Sequence, residues 1–289
     1  MGIKNLILTR PQSFLSEEVY VKYLMILSLI FSKIDSNFEK ITISQHKQVQ
    51  LAHTSVFTWK IWNNSFEILS PSGYRSSRFL KGFENAGERQ WKRYGIDTLL
   101  AGNRALTIID VGANIGEFTF AARKRGIQDV YSFEPDPIAF ECLSFNIKEN
   151  QKNLHKIALC EKPGEVIFYS APEGADSSLI EPVLGSTALK VTGSRLDDFF
   201  RNKKIAIPVL LKMDAEGAEP EVLKGFGEFS RYICWVAIDV GPERHGESTK
   251  NEVAEILIAQ GFEITMHTEW ILHGRKWSTS KLSELNWVQ

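Results

Sequence analysis

The stretch from Ile108 to Phe120 reads IIDVGANIGEFTF, and this stretch decides the fold. It begins with apolar residues around an acid, continues through a loop with two glycines, and ends in a helical pattern. Glycine lets a backbone turn tightly and approach a bound molecule closely. A strand that opens into a helix through such a loop is typical of α/β folds that bind a nucleoside cofactor at the carboxyl end of the strand. The residues predicted to line the cofactor here are Asp110, Gly112, Ala113, Asn114 and Gly116.

The same loop departs from the patterns that bind phosphate groups. A dinucleotide fingerprint requires glycine at positions 112, 114 and 117, whereas this chain has Asn114 and Glu117. A pyrophosphate lies at the helix N-terminus, where the Glu117 carboxylate would repel it by about 1 kcal/mol in water at roughly 4 Å. No Gly-Lys-Ser/Thr element follows the loop, so the Walker pattern is missing too. S-adenosylmethionine fits better, because it is a nucleoside without phosphate and its sulfonium group is cationic.

Outward from this stretch, strand and helix patterns alternate. The runs that predict strands are LTIID, IQDVYSFE, LHKIALC, IPVLLKMD and ICWVAIDV, with GEVIFYS as a short edge strand and FEITMH and LNWVQ as closing strands. Helical patterns separate them, including EFTFAARKRG, DPIAFECLSFNIKEN, EPEVLKGF and TKNEVAEILIAQG. Near-continuous hydrophobic strands in alternating units predict an α/β fold, with a doubly wound, mostly parallel sheet and helices on both faces.

The residues ahead of this core have a different pattern. Residues 1–40 predict helix, and residues 41–70 alternate in a way that predicts a small antiparallel β unit. The run NAGERQWKRYGIDTLLAG predicts one helix before the first core strand. We expect two domains: an appendage over residues 1–80, which could be a lid, a dimer contact or a substrate platform, and a cofactor-binding domain over residues 81–289. Two alternatives remain for five residues of this region, the binding of a sugar or an anionic glycan and the packing of an amphipathic helix: Arg75, Arg78, Arg89, Trp91 and Tyr94.

Acidic residues follow several of the predicted strands at the same edge of the sheet. They are Asp110, Glu134, Asp136, Asp214, Glu216, Glu219 and Asp239. Any one of them could be a helix cap or a solvated carboxylate, but together they favour a cationic cofactor. Glu134 stands at the end of the second strand, where a carboxylate accepts hydrogen bonds from both ribose hydroxyls. We expect Asp136, which begins the next helix, to belong to the same cofactor site.

Five segments resemble the FkbM family of S-adenosylmethionine-dependent methyltransferases in order and spacing. They are IIDVGANIGEFTF, SFEPDPIAFECLSFNI, IALCEKPGEVIFY, SRLDDF and LLKMDAEGAEPEVLKGF. The resemblance implies the class I methyltransferase fold, a Rossmann-like fold with a seven-stranded sheet whose final strand is antiparallel. It also implies an O-methyltransferase that acts on sugars or on polyketide-type natural products.

Position by position, the resemblance implies roles for individual residues. The loop on the methionine side of the cofactor corresponds to Asp110, Gly112, Asn114 and Gly116. Glu134 corresponds to the ribose ligand, and the segment around Ala158 corresponds to the place where such proteins hold the adenine; plain packing is the alternative for Ala158. The family's fifth strand often ends in Glu, where this chain has the shorter Asp239.

Methyl transfer to a hydroxyl needs a group that takes the proton, and such a general base contributes about 10²–10⁴-fold. Asp214, at the end of the fourth strand, is the first candidate for this catalytic role. Asp239 and His245, in IDVGPERHG, are the next, although His245 could equally be a histidine of a surface loop. Glu216 and Glu219 either cap the following helix or contact the substrate.

A metal ion is an alternative way to activate the hydroxyl. Asp214, Asp239 and a nearby Glu could hold Mg²⁺ through oxygen ligands, and a bound cation would lower the pKa of the hydroxyl. The sequence clusters the acids but does not give their geometry.

Charge and composition limit the other classes of partner. The net charge of −1 argues against nucleic acid as the main partner, because phosphate binding generally requires a basic excess. Three cysteines without metal-ligand spacing predict reduced thiols and a cytoplasmic protein. No secretory signal is visible, and the run YLMILSLIF is far shorter than the roughly 20 residues of a membrane-spanning helix. Both a monomer and a homo-oligomer are compatible with the sequence.

The leading hypothesis is therefore an S-adenosylmethionine-dependent O-methyltransferase with a carbohydrate or a secondary metabolite as acceptor. A nucleic-acid or protein methyltransferase is the first alternative, although the fourth strand is followed by DAEG rather than an Asn/Asp-Pro-Pro-aromatic element. A non-catalytic binding module on the same fold is the second alternative.

Overall fold

The computed structural model describes residues 50–53, 57–62, 65–71, 82–171, 177–181 and 186–276. The helix predicted within residues 1–40 and the closing strand LNWVQ lie outside these residues. The chain divides into two compact units, Met1–Ala86 and Gly87–Gln289. Among the described helices, none combines the length and the apolar character that a membrane crossing requires.

The first unit contains a small antiparallel sheet, as the alternating pattern of residues 41–70 predicts. Its strands are β1 (Gln50–His53), β2 (Phe57–Trp62) and β3 (Ser65–Pro71), and they are paired in chain order. Both pairings are antiparallel, so the prediction of a β unit is confirmed.

In the described part of the chain, the second unit is built from ten strands, seven α-helices and two 3₁₀ helices, Gln151–Asn153 and Gly227–Tyr232. The strands are β4 (Thr107–Val111), β5 (Asp129–Phe133), β6 (Leu154–His155), β7 (Ala158–Leu159), β8 (Gly164–Ser170), β9 (Thr187–Ser194), β10 (Val209–Met213), β11 (Ile233–Asp239), β12 (Glu263–Met266) and β13 (Ile271–Arg275). The helices are α1 (Phe83–Arg93), which begins in the first unit, α2 (Ile96–Leu100), α3 (Glu117–Lys124), α4 (Pro137–Asn146), α5 (Leu196–Phe200), α6 (Glu219–Lys224) and α7 (Lys250–Ala259).

The main sheet has seven strands in the order β12-β13-β11-β10-β4-β5-β6. Strands β11, β10, β4, β5 and β6 are paired in parallel, whereas β13 runs antiparallel to both of its neighbours. This is the predicted class I methyltransferase sheet. The chain order reverses at the pair β10 and β4, so the carboxyl ends of these two strands form the topological switch point where ligands of such sheets bind.

The central strands are apolar because both faces of the sheet are covered. Every residue of β4, β10 and β11 is buried. On one face the apolar residues pack with Trp91, Tyr94 and Phe118. On the other face they pack with Phe226 and Leu257. The helices on the two faces thus explain why these strands lack the alternating pattern of a half-exposed strand.

The structure corrects three details of the sequence-based prediction. The run Asn85–Gly102 forms two helices, α1 and α2, instead of one, because Gly95 adopts a left-handed conformation with φ +56°. The run LHKIALC is not a single strand: β6 belongs to the main sheet, and β7 pairs with β9 in a separate three-stranded sheet with β8 at its edge. Strands β9 and β13 and helix α5 were not predicted.

Candidate active site at the carboxyl edge of the sheet

The glycine loop after β4 is tightly curved and has no room for side chains at its two glycines. Gly112 has φ +68° and Gly116 has φ +96°, in the region that favours glycine. A Cβ atom on Gly112 would overlap the carbonyl oxygen of Asp214, and one on Gly116 would overlap side chains of α4. Asn114 also has a positive φ of 48°. The loop therefore lies directly against the carboxyl end of β10.

Glu134 joins this loop to the end of β5. The backbone N–H of Asn114 donates to Glu134 Oε2 at 2.7 Å, and the N–H of Asp136 donates to Glu134 Oε1 at 2.9 Å. The side chain is buried, and burial raises the pKa of Glu134 to about 8 although the two N–H donors lower it. The structure thus places a buried carboxylate beside the loop, where the sequence predicts the ribose ligand.

Asp110 lies in β4, one residue before the strand ends. Its side chain is fully buried, forms an ion pair with Lys212 at 3.1 Å and accepts a hydrogen bond from Thr119 Oγ1 at 2.7 Å. Lys212 Nζ also donates to the carbonyl of Gly112 at 2.9 Å. This lysine was missed by the sequence analysis, because a single Lys inside an apolar strand gives no sign of its partner.

Two other predicted cofactor residues have structural partners. Asp136 caps α4, because its Oδ1 accepts the N–H groups of Ile138 and Ala139 and its other oxygen accepts the hydroxyl of Ser170. Ala158 is buried in β7 and packs with apolar residues of the smaller sheet. Contact of either residue with a cofactor stays a prediction.

Asp214 and Asp239 stand at the ends of adjacent parallel strands, and Arg93 from the end of α1 bridges them. The Arg93 guanidinium lies 3.4 Å from Asp214 and forms a second ion pair with Asp239. Tyr94 Oη donates at 2.6 Å to Asp214 Oδ2, which is the same atom that lies 3.4 Å from the Arg93 guanidinium. We call this set, Arg93, Tyr94, Asp214 and Asp239, the acid bridge. The sequence predicts the two acids as neighbours but gives no sign that Arg93 joins them.

The surroundings of the acid bridge raise the pKa of two of its members, Asp239 and Tyr94. Burial raises the pKa of Asp239, and the charge of Asp214 raises it further, whereas Arg93 opposes both effects. Burial and the negative charge of Asp214 also raise the pKa of Tyr94, so its hydroxyl stays protonated and donates a hydrogen bond to Asp214.

Trp91 packs against Phe118 with ring centroids 5.6 Å apart, so the packing alternative is correct for that residue.

The acid bridge does not fit the Mg²⁺ alternative. Mg²⁺ needs free carboxylate oxygens, but the positive charge between Asp214 and Asp239 is already the guanidinium of Arg93. In the described ranges no three His, Cys, Asp or Glu side chains are grouped as metal ligands.

Two of the remaining candidates are Glu219, the first residue of α6, and His245, in the loop that follows β11. Glu219 is fully buried and folds the loop after β10, because it accepts the N–H groups of Ala215 and Gly217 and the hydroxyl of Thr249. His245 is exposed, and its Nε2 lies 2.8 Å from the carbonyl oxygen of Glu181.

Comparison with known proteins places this fold in a family. The model of the family described as Methyltransferase FkbM domain matches residues 110–264, which is more than half of the chain. Hexuronic acid methyltransferase AglP from Haloferax volcanii is 26% identical over 133 residues, which cover 45% of this chain and 54% of that protein. The match thus spans about half the length of that relative. Methyltransferase sdnD from Sordaria araneosa is 26% identical over 199 residues, which cover 56% of this chain and 76% of that protein.

Two solved methyltransferase structures align with this chain at low identity and low TM-score. Magnesium protoporphyrin IX methyltransferase from Synechocystis PCC 6803 has 15% identity and a TM-score of 0.39, with 67% of this chain and 81% of that chain covered. The sugar N-methyltransferase KedS8 from Streptoalloteichus sp ATCC 53650 has 10% identity and a TM-score of 0.40, with 68% and 89% covered.

Proposed function

The chain belongs to the FkbM family of S-adenosylmethionine-dependent methyltransferases, and we propose that it methylates a hydroxyl group of a carbohydrate or of a secondary metabolite. The observation that carries this proposal is the contact between Gly112 and the carbonyl of Asp214. Through this contact, the loop predicted to hold the cofactor and the acid bridge share one edge of the sheet. A methyl donor and an acceptor hydroxyl must meet at such a junction, because methyl transfer is a direct displacement that depends on positioning.

The described residues fit S-adenosylmethionine at the loop. The left-handed backbone at Gly112, Asn114 and Gly116 gives the tight curve that lets a ligand approach main-chain atoms. We assign Glu134 to the ribose hydroxyls, since each of its carboxylate oxygens has accepting capacity beyond the one N–H bound to it. When bound, the cofactor supplies an electrophilic methyl group on a positively charged sulfur.

The charges under and beside the loop also suit a cationic ligand. The positive charge of Lys212 is matched by Asp110 at 3.1 Å, so this pair adds no net positive charge below the loop. The acid bridge holds two carboxylates for one guanidinium, which leaves this edge of the sheet negative.

We assign the acid bridge to the acceptor. Arg93, whose side chain is 46% exposed, offers N–H donors, and Asp214, at 18%, offers an accepting oxygen. Such paired donors and acceptors suit the hydroxyls of a sugar. The relative that is named a hexuronic acid methyltransferase supports a sugar as the acceptor class. Because the acid bridge is negative, we expect a neutral sugar to be a better acceptor than its uronic acid.

The first test separates cofactor binding from acceptor choice. S-adenosylhomocysteine at a hundredfold over its dissociation constant should stabilise the protein by about 2.7 kcal/mol in a thermal-shift titration, and NAD should not. Radiolabelled S-adenosylmethionine is then offered with methyl glycosides, each paired with its uronic acid, and with polyketide alcohols. Failure to bind S-adenosylhomocysteine would contradict the proposal as a whole; binding without methylation of any glycoside or polyketide alcohol would contradict the acceptor class.

Asp214→Asn tests the acid bridge in the same assays. The amide keeps the shape and can still accept from Tyr94, so S-adenosylhomocysteine should bind as in the wild type. Turnover should fall by about tenfold or more, because a hydrogen bond to a charged group contributes about 1.5–3 kcal/mol. Asp129→Asn, at the exposed amino end of β5, is the matched control and should leave both properties unchanged.

A further inference from the structure

We propose that Glu243 is the general base that takes the proton of the acceptor hydroxyl. This inference rests on the proposed function, and it replaces Asp214, Asp239 and His245 in that role. The sequence analysis did not single out Glu243, because nothing in IDVGPERHG distinguishes its carboxylate from one in a solvated loop.

Glu243 lies beside the acid bridge through the fold of the loop that follows β11. The N–H of Gly241 donates to Asp239 Oδ1 at 3.0 Å, so the loop begins by turning back onto the acid. A Cβ atom on Gly241 would overlap Oε1 of Glu243, which places the Glu243 carboxyl against that backbone. Further along, a Cβ on Gly217 would lie 3.1 Å from the backbone nitrogen of Arg244. The loop carrying Glu243 thus packs against the loop that follows Asp214.

The Glu243 carboxyl has an accepting oxygen that the described structure leaves unused. Its Oε2 is shielded from solvent and has no hydrogen-bond partner in the described residues. Asp214 and Asp239 are both paired directly with Arg93, whose positive charge opposes protonation of a carboxylate; Asp214 Oδ2 also accepts from Tyr94, and Asp239 accepts from Gly241. A buried acceptor without a donor costs free energy, and this cost is greater for the charged carboxylate, so it favours uptake of a proton by Glu243.

The charges that face Glu243 suit a base that works near neutral pH. The pKa of Glu243 is raised to about 7: burial is the largest cause, the charges of Asp239 and Asp214 act in the same direction, and Arg93 and the residue's own N–H oppose them. Glu219 is also close enough for the two charges to act on each other. A base is most effective when its pKa lies near the working pH.

The reaction step balances with Glu243 as the proton acceptor. The acceptor oxygen forms a bond to the transferred methyl carbon while its proton moves to the Glu243 carboxylate. The carbon–sulfur bond breaks and its electron pair stays on sulfur, which becomes neutral. The acceptor becomes a methyl ether, and the Glu243 carboxyl leaves the step protonated.

A titration without any acceptor tests the base directly. In protein labelled with ¹³C at the Glu carboxyl groups, the resonance absent from the Glu243→Gln spectrum should titrate near pH 7. The variant is needed for assignment, because burial also raises the pKa of Glu219 to about 7. Glu247→Gln, an exposed glutamate of the same loop, is the control and should leave the Glu243 resonance in place. A Glu243 carboxyl that titrates below pH 5 would overturn the inference.

Activity provides the second readout and separates this inference from the proposed function. With the acceptor that the panel identifies, wild-type kcat should rise as the pH increases through about 7, because the base must be ionised. Glu243→Gln should bind S-adenosylhomocysteine normally, lose at least about a hundredfold in kcat and lose this rise. Full kcat in Glu243→Gln beside an active wild type would refute the base but not the methyltransferase; a wild type that binds no S-adenosylhomocysteine would refute the function itself.

Discussion

At the scale of single residues, burial decides what each acid at the carboxyl edge can do. Glu134 and Glu219 are both buried carboxylates that accept two backbone N–H groups. They differ in location: Glu134 holds the glycine loop, and Glu219 folds the loop after β10. The sequence predicts both as acids of one edge, but only their partners separate Glu134, the proposed ribose ligand, from Glu219, which holds the loop after β10.

This difference allows a matched pair of variants. In Glu134→Gln, one oxygen becomes an NH₂ group that faces an N–H donor, so one hydrogen bond to the loop is lost. We expect the affinity for S-adenosylhomocysteine, measured by calorimetry, to fall at least about tenfold. Glu219→Gln makes the same chemical change and should leave this affinity unchanged. Equal losses in both variants would mean that Glu134 acts only through stability.

At the scale of secondary-structure elements, one glycine places the acid bridge. Local periodicity predicts a single helix over Asn85–Gly102, but the chain turns at Gly95 and the helix ends at Arg93. The ring of His267 occupies the place where a Cβ on Gly95 would lie. Arg93 and Tyr94 therefore stand at a helix end, from which both reach Asp214. A helix pattern cannot predict this break, because the obstructing ring comes from a distant part of the chain.

Gly95→Ala should destabilise the protein more than Gly102→Ala. Both glycines have positive φ, +56° and +86°, so alanine costs roughly 1–2 kcal/mol of backbone strain at either site. Only at Gly95 does the added Cβ also collide with a side chain, whereas Gly102 has open space around it. Urea denaturation should show the larger loss of unfolding free energy in Gly95→Ala. Equal losses would show that His267 moves aside freely.

At the scale of the whole molecule, a sheet covered on both faces buries a charged pair at its centre. Asp110 and Lys212 are register partners on the adjacent strands β4 and β10, and both side chains are almost inaccessible to solvent. Lys212 Nζ also contacts the carbonyls of Val111 and Gly112. The pair therefore connects the core of the sheet to the glycine loop.

The assignment of residues 1–80 to a lid, a dimer contact or a substrate platform stays a prediction.

Lys212→Met should cost about 3–5 kcal/mol of unfolding free energy, because it leaves the Asp110 carboxylate buried without its cation. The double variant Lys212→Met/Asp110→Asn removes both charges and should recover a large part of that loss. Urea denaturation of the wild type, both single variants and the double variant gives the coupling energy between the two residues. Additive losses would show that the pair is not coupled.

The sequence by itself determined the α/β fold class, the glycine loop and the set of acids at one edge of the sheet. These features depend on local patterns: apolar runs, glycines at fixed spacing, and the rule that parallel strands end at the same edge. The position of Glu134 next to the loop follows from the same rule, and the structure agrees with it.

Only the tertiary structure decided which carboxylates near this edge are paired with a cation and which keep an oxygen without a hydrogen-bond donor. Arg93 lies 121 residues before Asp214, yet its guanidinium bridges Asp214 and Asp239, while the Glu243 carboxyl keeps an oxygen without a partner in the described part of the chain. The pKa and accepting capacity of a carboxylate depend on burial and on the charges packed around it. Those neighbours come from distant segments, so the order of residues along the chain cannot specify them.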